Sequence, residues 1–150
     1  MKAEFPAATM ADLEVVMRYM REFHDFDHTE PFDETCARQA MQKILCNQTV
    51  GRLWLICQAG EAVGYMAITI GYRLEYRGEY AFLDELYIRA DQRGKGLGTA
   101  AMAFLRTACQ SLGLKALQLE VKSDNPNAAA LYQKAGFQRQ ARCVFLQGLD

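Results

Sequence analysis

Apolar residues recur at helical spacing in four segments and alternate with polar residues in several shorter ones. Over residues 13–20 the apolar positions lie three or four apart, and a capping-box-like pair, Thr9 and Asp12, stands at the start. This pattern predicts a helix that runs to about Phe23. The same spacing predicts further helices over 33–46, 100–112 and 127–135. Runs rich in β-branched, aromatic or alternating apolar residues predict strands over 2–8, 53–58, 63–72, 80–89, 115–122 and 137–146.

The order of these elements predicts the fold class. Three predicted strands, 53–58, 63–72 and 80–89, follow one another with short turns, which indicates an antiparallel meander. The later half alternates helices and strands. We therefore expect an α/β (α+β) fold with a mixed, mostly antiparallel sheet of six or seven strands and about four helices. The length of 150 residues suits a single domain over 1–150.

Charge and cysteine content exclude several classes of protein. The formal net charge is -1, from 17 basic and 18 acidic side chains, so bulk charge predicts neither a nucleic-acid nor a membrane partner. No apolar run has the length of a signal peptide core or a membrane helix, and we expect a cytoplasmic protein. The five cysteines include no CxxC pair, which argues against a disulfide framework or a zinc site.

A glycine-rich basic loop joins the strand over 80–89 to the helix over 100–112. Its sequence, Arg93-Gly94-Lys95-Gly96-Leu97-Gly98-Thr99, places alternate glycines and two cations where a helix begins. Free backbone N–H groups and the positive helix end favour a phosphate or pyrophosphate there. The alternative is a tight turn that needs glycine for its backbone only. A second alternative is a dinucleotide-binding site with Glu120 as the ribose-binding acid. That fold has its glycine loop in the first strand–helix unit of a parallel sheet, whereas here the loop follows the predicted antiparallel meander.

Three motifs together resemble one family. They are Arg93-x-x-Gly96-x-Gly98, the preceding strand Phe82-Leu83-Asp84-Glu85-Leu86-Tyr87-Ile88, and Asn125-x-x-Ala128-x-x-Leu131-Tyr132-x-Lys134-x-Gly136-Phe137. In order and spacing the chain resembles the GNAT superfamily of acetyl-CoA-dependent N-acetyltransferases over roughly residues 52–140. The first third carries no motif of a subfamily, and that region usually shapes the acceptor pocket.

The resemblance implies acetyl-CoA as cosubstrate, no metal, and by analogy a homodimer. It implies that the strand end Leu86, Tyr87 and Ile88 splays from the strand over 115–122, so that its backbone pairs with the pantetheine arm. Asn125 would touch that arm or hold the turn over 122–127, and Tyr132 would protonate the departing thiolate. The diphosphate would be bound by Arg93, Gly94, Lys95, Gly96, Leu97, Gly98 and Thr99.

Acyl transfer to an amine also needs a group that removes a proton, since an alkylammonium with a pKa near 10.4 is almost fully charged at pH 7. Asp84 and Glu85 lie on the strand next to the expected cofactor gap. Because successive strand residues face opposite sides, we expect only one of them to face the acceptor. Glu85 is our first candidate for the catalytic base and Asp84 the second. The alternative for either is a solvated or ion-paired carboxylate.

The acceptor itself is the open part of the prediction. The acidic segment, residues 22–34, holds six carboxylates and no Lys or Arg, and would attract a cation if it rims the pocket. It could equally be a solvated loop. His24 and His28 with Asp25 form a weak metal pattern, and residues 73–77 could cover the acceptor or form a hairpin tip.

We expect acetylation of a primary amine, on a small cationic molecule, by direct attack in a ternary complex. The alternatives are a non-catalytic acyl-CoA sensor, a protein or peptide acetyltransferase and, less favoured, a dinucleotide-dependent oxidoreductase.

Overall fold

The fold is taken from a computed structural model, which describes residues 2–27 and 30–150. The chain divides into two compact units, one ending at Glu120 and one over Val121–Asp150, and each is described by itself. The first unit contains α1 (Leu13–Asp27), α2 (Glu34–Cys46), β1 (Gly51–Gln58), β2 (Glu61–Arg73), β3 (Gly78–Ile88), α3 (Leu97–Ser111) and β4 (Leu117–Gln118). The second contains α4 (Pro126–Lys134).

The sheet has the order β1-β2-β3-β4. The first three strands pair antiparallel, which confirms the predicted meander, and β4 lies parallel to β3. The expected six or seven strands are wrong: the described residues form a mixed sheet of four. Residues 2–8 make only two isolated bridges to β1, Glu4 with Cys57 and Ala7 with Trp54. The carbonyl of Pro6 accepts from the N–H of Leu55 at 2.9 Å. Because proline has no N–H to donate in return, Pro6 interrupts the ladder.

The other missing strands lie late in the chain. β4 spans two residues instead of the predicted 115–122, because its pairing with β3 ends at Phe82 and Gln118. No strand is found after β4 in the part of the chain that the structure describes. In the second unit, Phe145 and Leu146 are 95% and 92% exposed. The apolar run around them fits a strand, but a strand also needs a hydrogen-bonded neighbour.

Local hydrogen bonds define the starts of α1 and α2, and the sequence predicted the pair at Thr9 and Asp12. The Asp12 carboxylate accepts from the backbone N–H of Thr9 at 2.8 Å, and a short 3-10 turn leads into α1. This helix continues four residues beyond the predicted end at Phe23. α2 begins where Asp33 accepts from the N–H of Cys36 at 3.0 Å. Among the described residues, no helix is both long and apolar enough to cross a bilayer.

Helices cover both faces of the sheet. Leu53 and Leu55 of β1 belong to one buried cluster with residues of α1 and α2. Trp54, between them, contacts Phe104 of α3 with ring centroids 5.8 Å apart, so α3 covers the opposite face. Strand β3, which carries both predicted catalytic carboxylates and the strand end, lies in the same sheet and contacts both α1 and α3.

Candidate active site

A β-bulge in β3 carries both candidate catalytic carboxylates. Ala67 of β2 lies opposite Glu85, whereas the next residue, Ile68, lies opposite Leu83. Asp84 is therefore an extra residue in the ladder. A bulge breaks the strict alternation of a strand, so two successive side chains can share one side. The expectation that alternation would turn one carboxylate away is wrong, because Asp84 and Glu85 both line the same cavity.

This cavity lies between the sheet and the first two helices. Its volume is about 250 Å³. Helices α1 and α2 contribute Met20, Ala40, Met41 and Ile44, and strands β2 and β3 contribute Ala67, Thr69, Asp84 and Glu85. No basic side chain is among these described lining residues. The cavity thus combines a mainly apolar helix side with two carboxylates on the sheet side. We call it the carboxylate cavity.

Glu85 and Asp84 occupy different environments at the bulge. Tyr65, which is 0% exposed, donates its hydroxyl to Glu85 Oε1 at 2.8 Å. Burial raises the pKa of Glu85, the charge of Asp84 adds to that rise, and the Tyr65 hydrogen bond and the charge of His24 oppose it. Asp84 is exposed and accepts from the hydroxyl of Thr69. The raised pKa makes Glu85 a better proton acceptor than an ordinary glutamate, whereas Asp84 is in contact with water.

The acidic segment has local structural partners. Asp33 caps α2, and Glu34 forms ion pairs with Arg21 and Arg38. Glu22 accepts from the hydroxyl of Tyr87 at 2.9 Å. Of the described carboxylates in this segment, none lines the carboxylate cavity. The geometry therefore favours Asp84 and Glu85, and not this segment, as the charges that an acceptor in the cavity would meet.

Of the weak metal pattern formed by His24, Asp25 and His28, His28 lies outside the described residues. The His24 ring contacts Phe32, with centroids 5.2 Å apart, and its Nε2 lies at hydrogen-bond distance from the Glu30 carbonyl. Within residues 2–27 and 30–150, no group of three His, Cys, Asp or Glu side chains is placed to hold a metal ion.

The strand end beyond the bulge has one paired edge. Leu86, Tyr87 and Ile88 pair with Met66, Tyr65 and Gly64 of β2. On the other edge, the described pairing of β3 with β4 ends at Phe82, two residues before Asp84. An extended ligand arm needs such an edge in order to pair with strand backbone. Binding of the pantetheine arm by residues 86–88 stays a prediction that this geometry suits.

The glycine loop leads into α3 through two left-handed residues. Gly94 has φ +75° and Gly96 has φ +82°, conformations that a side chain disfavours. A Cβ at either position would meet no atom within 4 Å, so backbone conformation and not crowding requires glycine here. Gly96 is the N-cap of α3 and provides no side-chain cap. The first N–H groups of α3 thus lack the usual capping side chain, which is the arrangement that an anion can use.

Arg93 connects this loop to the strand end. Its Nε donates to the Ile88 carbonyl at 2.8 Å. The guanidinium also lies over the rings of Phe26 and Tyr87, 4.9 Å and 5.4 Å from their centroids. Lys95 Nζ donates to Gln92 Oε1 at 3.3 Å. In this structure the Arg93 side chain holds the loop against the end of β3. Its role in binding a diphosphate stays a prediction.

The second unit contains the other predicted site residues. Asn125 accepts from the N–H of Ala128 at 3.1 Å and caps α4, and its own N–H donates to the Lys122 carbonyl. This is the turn-holding role that the sequence offered as one alternative. The ring of Tyr132 packs edge-on against Phe137, and burial raises the pKa of its hydroxyl. Tyr132 therefore stays protonated at neutral pH.

Sequence reasoning missed Tyr65, Thr69 and the helix side of the carboxylate cavity. Tyr65 lies 20 residues before Glu85 and reaches it only because β2 and β3 pair. Met20 and Met41 fit the apolar pattern of any amphipathic helix. A cross-strand register is the signal that could have revealed these residues, and a single sequence does not display it.

The comparisons with known proteins agree with this fold. The model of the acetyltransferase (GNAT) family matches residues 15–137, and the chain belongs to this family. An uncharacterized N-acetyltransferase of Bacillus subtilis, YycN, is 36% identical over 64 residues, which are 43% of this chain and 41% of that protein. An L-methionine sulfoximine/L-methionine sulfone acetyltransferase of Pseudomonas aeruginosa is 32% identical over 81 residues, 53% of this chain and 46% of that protein. The chain thus spans less than half the length of these relatives.

Solved structures share the fold over nearly the whole chain. An integron cassette protein from the mobile metagenome of Cole Harbour Salt Marsh has a TM-score of 0.87 and 33% identity, covering 97% of this chain and 90% of that one. A predicted acetyltransferase from Clostridium acetobutylicum, solved with acetyl-CoA, has a TM-score of 0.80 and 16% identity, covering 97% and 96%. At that identity the second likeness concerns the fold alone.

The dinucleotide alternative is not supported, since Glu120 lies outside β4 and the loop follows an antiparallel meander.

Proposed function

We propose that the chain is an acetyl-CoA-dependent N-acetyltransferase that acts on the primary amine of a small cationic molecule. The observation that carries this proposal is the bulge, which places Asp84 and Glu85 in one cavity with the pKa of Glu85 raised. Family membership supports the acetyl transfer. The glycine loop fits acetyl-CoA, because two left-handed glycines and a helix start without a capping side chain leave backbone N–H groups for a diphosphate.

In the proposed reaction the acceptor enters as an ammonium ion, and the carboxylates of Asp84 and Glu85 attract it. Glu85 accepts one proton, directly or through water, and leaves a neutral amine. The nitrogen then attacks the acetyl carbonyl carbon of the thioester. A C–N bond forms, the C–S bond breaks, and the sulfur leaves with the electron pair of that bond.

Two further protons complete the reaction. The nitrogen loses its second proton on becoming an amide, and the thiolate gains one. The resemblance assigns the donor role to Tyr132, whose raised pKa keeps the proton available at neutral pH. The proton lost by nitrogen replaces the one that Tyr132 gives, and the proton on Glu85 passes to solvent. The products are an N-acetylated amine, the free thiol of coenzyme A and one proton.

The test has two parts, made on the same purified protein. Calorimetric titration with acetyl-CoA measures binding, and a free-thiol release assay over monoamines, polyamines, amino acids, aminoglycosides and peptides measures turnover. We expect binding, with thiol release on a small amine, and Glu85→Gln should lower kcat/KM by about 10²-fold or more while acetyl-CoA affinity is retained. Full activity of Glu85→Gln would remove Glu85 as the base. Binding without release on any amine would favour the sensor alternative.

A further inference from the structure

We propose that the acceptor is a hydrophobic monoamine: one primary amine on a short apolar body, with no carboxylate beside the amine and no second charge. This inference rests on the proposed function and names the class of substrate that the carboxylate cavity selects. It differs from the polyamine or aminoglycoside that the acidic segment alone would suggest.

The sheet side of the cavity selects for a cation. Asp84 and Glu85 lie next to each other at the bulge, held by hydrogen bonds from Thr69 and Tyr65. The described lining residues include no basic side chain that could pair with a substrate carboxylate. An amino acid would bring its own carboxylate close to two like charges, and its binding would be weakened by their repulsion. The amine group therefore binds best without a neighbouring acid.

The helix side selects for an apolar body. Met20, Ala40, Met41 and Ile44 provide no charge and no hydroxyl or amide side chain. An ammonium bound at the strand carboxylates would carry its organic part toward these side chains. Each methylene buried there strengthens binding roughly fourfold. A second ammonium would lie against apolar groups with no partner, which disfavours a diamine.

The volume of the cavity and the pairing of the charges near it also favour a small monoamine. At about 250 Å³ the cavity lies below the range of about 300–1,000 Å³ that is usual for sites of drug-sized ligands. Arg21 and Arg38 pair with Glu34, and Asp33 caps α2, so these acids of the acidic segment are already bound within the protein. A long polycation would find fewer partners around the cavity than the sequence suggests.

Three matched amines test this class. Hexylamine, 1,6-diaminohexane and norleucine each contain six carbons. The diamine adds a second ammonium at the far end, and norleucine has a carboxylate as its sixth carbon, attached to the carbon that bears the amine. We expect kcat/KM for hexylamine, measured by thiol release with saturating acetyl-CoA, to exceed that for the diamine at least about tenfold. The preference over norleucine should be at least about a hundredfold.

An added negative charge on the helix side sharpens the test. Ala40 lines the cavity and is exposed, so Ala40→Glu adds a carboxylate there without removing core volume. It should reduce the preference for hexylamine over the diamine at least about tenfold. Gln39→Glu is the matched control, since Gln39 lies on the same helix, is exposed and does not line the cavity. It should leave the preference unchanged.

Acetyl-CoA titration separates the two levels of the proposal. If acetyl-CoA binds and the diamine or norleucine is acetylated as well as hexylamine, the substrate class is overturned while the acetyltransferase function stands. The substrate class is also overturned if acetyl-CoA binds and hexylamine is not acetylated, or if Gln39→Glu changes the preference as much as Ala40→Glu. Thiol release on another amine would then keep the acetyltransferase function, and release on none would favour the sensor alternative. If acetyl-CoA does not bind, the proposed function fails and this inference fails with it.

Discussion

Tyr65 donates its hydroxyl to Glu85 from the neighbouring strand, at 2.8 Å and with no exposure of the Tyr65 side chain to solvent. This hydrogen bond stabilises the charged form of a carboxyl group whose pKa burial otherwise raises. Tyr65 thus acts on the proposed reaction through Glu85, the proposed base, as a positioning residue.

Tyr65→Phe should move the acid limb of the activity profile to higher pH. Without the phenol, the hydrogen bond that lowers the pKa of Glu85 is lost, so that pKa rises further. A higher pH is then needed to give the unprotonated base, and kcat/KM measured against pH shows the change. Tyr19→Phe is the matched control: Tyr19 is 1% exposed and donates to the Ala62 carbonyl at 2.7 Å. We expect both variants to lose about 1 kcal/mol of stability. Only in Tyr65→Phe should the acid limb of the kcat/KM profile move to higher pH.

Glu85→Gln should change how stability depends on pH. The folded state holds the Glu85 proton more tightly than the unfolded state does, because the folded-state pKa is raised. The wild type therefore loses stability as pH rises from the ordinary glutamate pKa through the raised one. The glutamine variant lacks this loss, so its stability should rise relative to that of the wild type across that window. Urea unfolding at several pH values measures this difference, and a constant difference would contradict the raised pKa.

Gly96→Glu should abolish acetyl-CoA binding. The substitution places a negative side chain at the start of α3 and strains a residue at φ +82°. Gly113→Glu separates strain from charge, since Gly113 has φ +75°, also meets no atom within 4 Å of an added Cβ, and follows the other end of α3. Each variant should lose about 1–2 kcal/mol of stability. Acetyl-CoA titration should show lost affinity in Gly96→Glu and wild-type affinity in Gly113→Glu.

Tyr132→Phe should lower turnover and leave acetyl-CoA affinity nearly unchanged. The variant keeps the ring that packs against Phe137 and removes only the proton donor. We expect kcat to fall about 10²-fold, as for loss of a general acid. Tyr72→Phe, at a tyrosine that is 64% exposed, removes a hydroxyl without a proposed role. Equal activity of Tyr132→Phe and wild type would exclude Tyr132 from the mechanism.

Local patterns predicted the elements that depend on neighbouring residues. The capping pair Thr9 and Asp12, the meander and the loop before α3 all follow from residue types within a few positions of one another. The lengths of β4 and of the segment after α4 could not be predicted in this way. A strand forms only where a partner offers hydrogen bonds, and that partner is distant in sequence.

The bulge shows the same limit at the candidate site. The sequence identified Asp84 and Glu85, but strict alternation would have separated them. The extra residue appears only when β2 is aligned with β3, and the pairing with β4 ends two residues before it. A bulge bends its strand and can end its pairing. One irregularity therefore accompanies both the shared cavity and the open edge of the strand end.

The composition of the carboxylate cavity also bears on how such an enzyme could change during evolution. The proposed proton chemistry lies on the sheet, where Asp84, Glu85 and Tyr65 are coupled through strand register. The proposed fit to the acceptor lies on α1 and α2, through Met20, Ala40 and Ile44. Single substitutions on the helices could then redirect the enzyme to a new amine while the reaction is conserved. An insertion or deletion in β3, in contrast, would disturb the reaction for every acceptor at once.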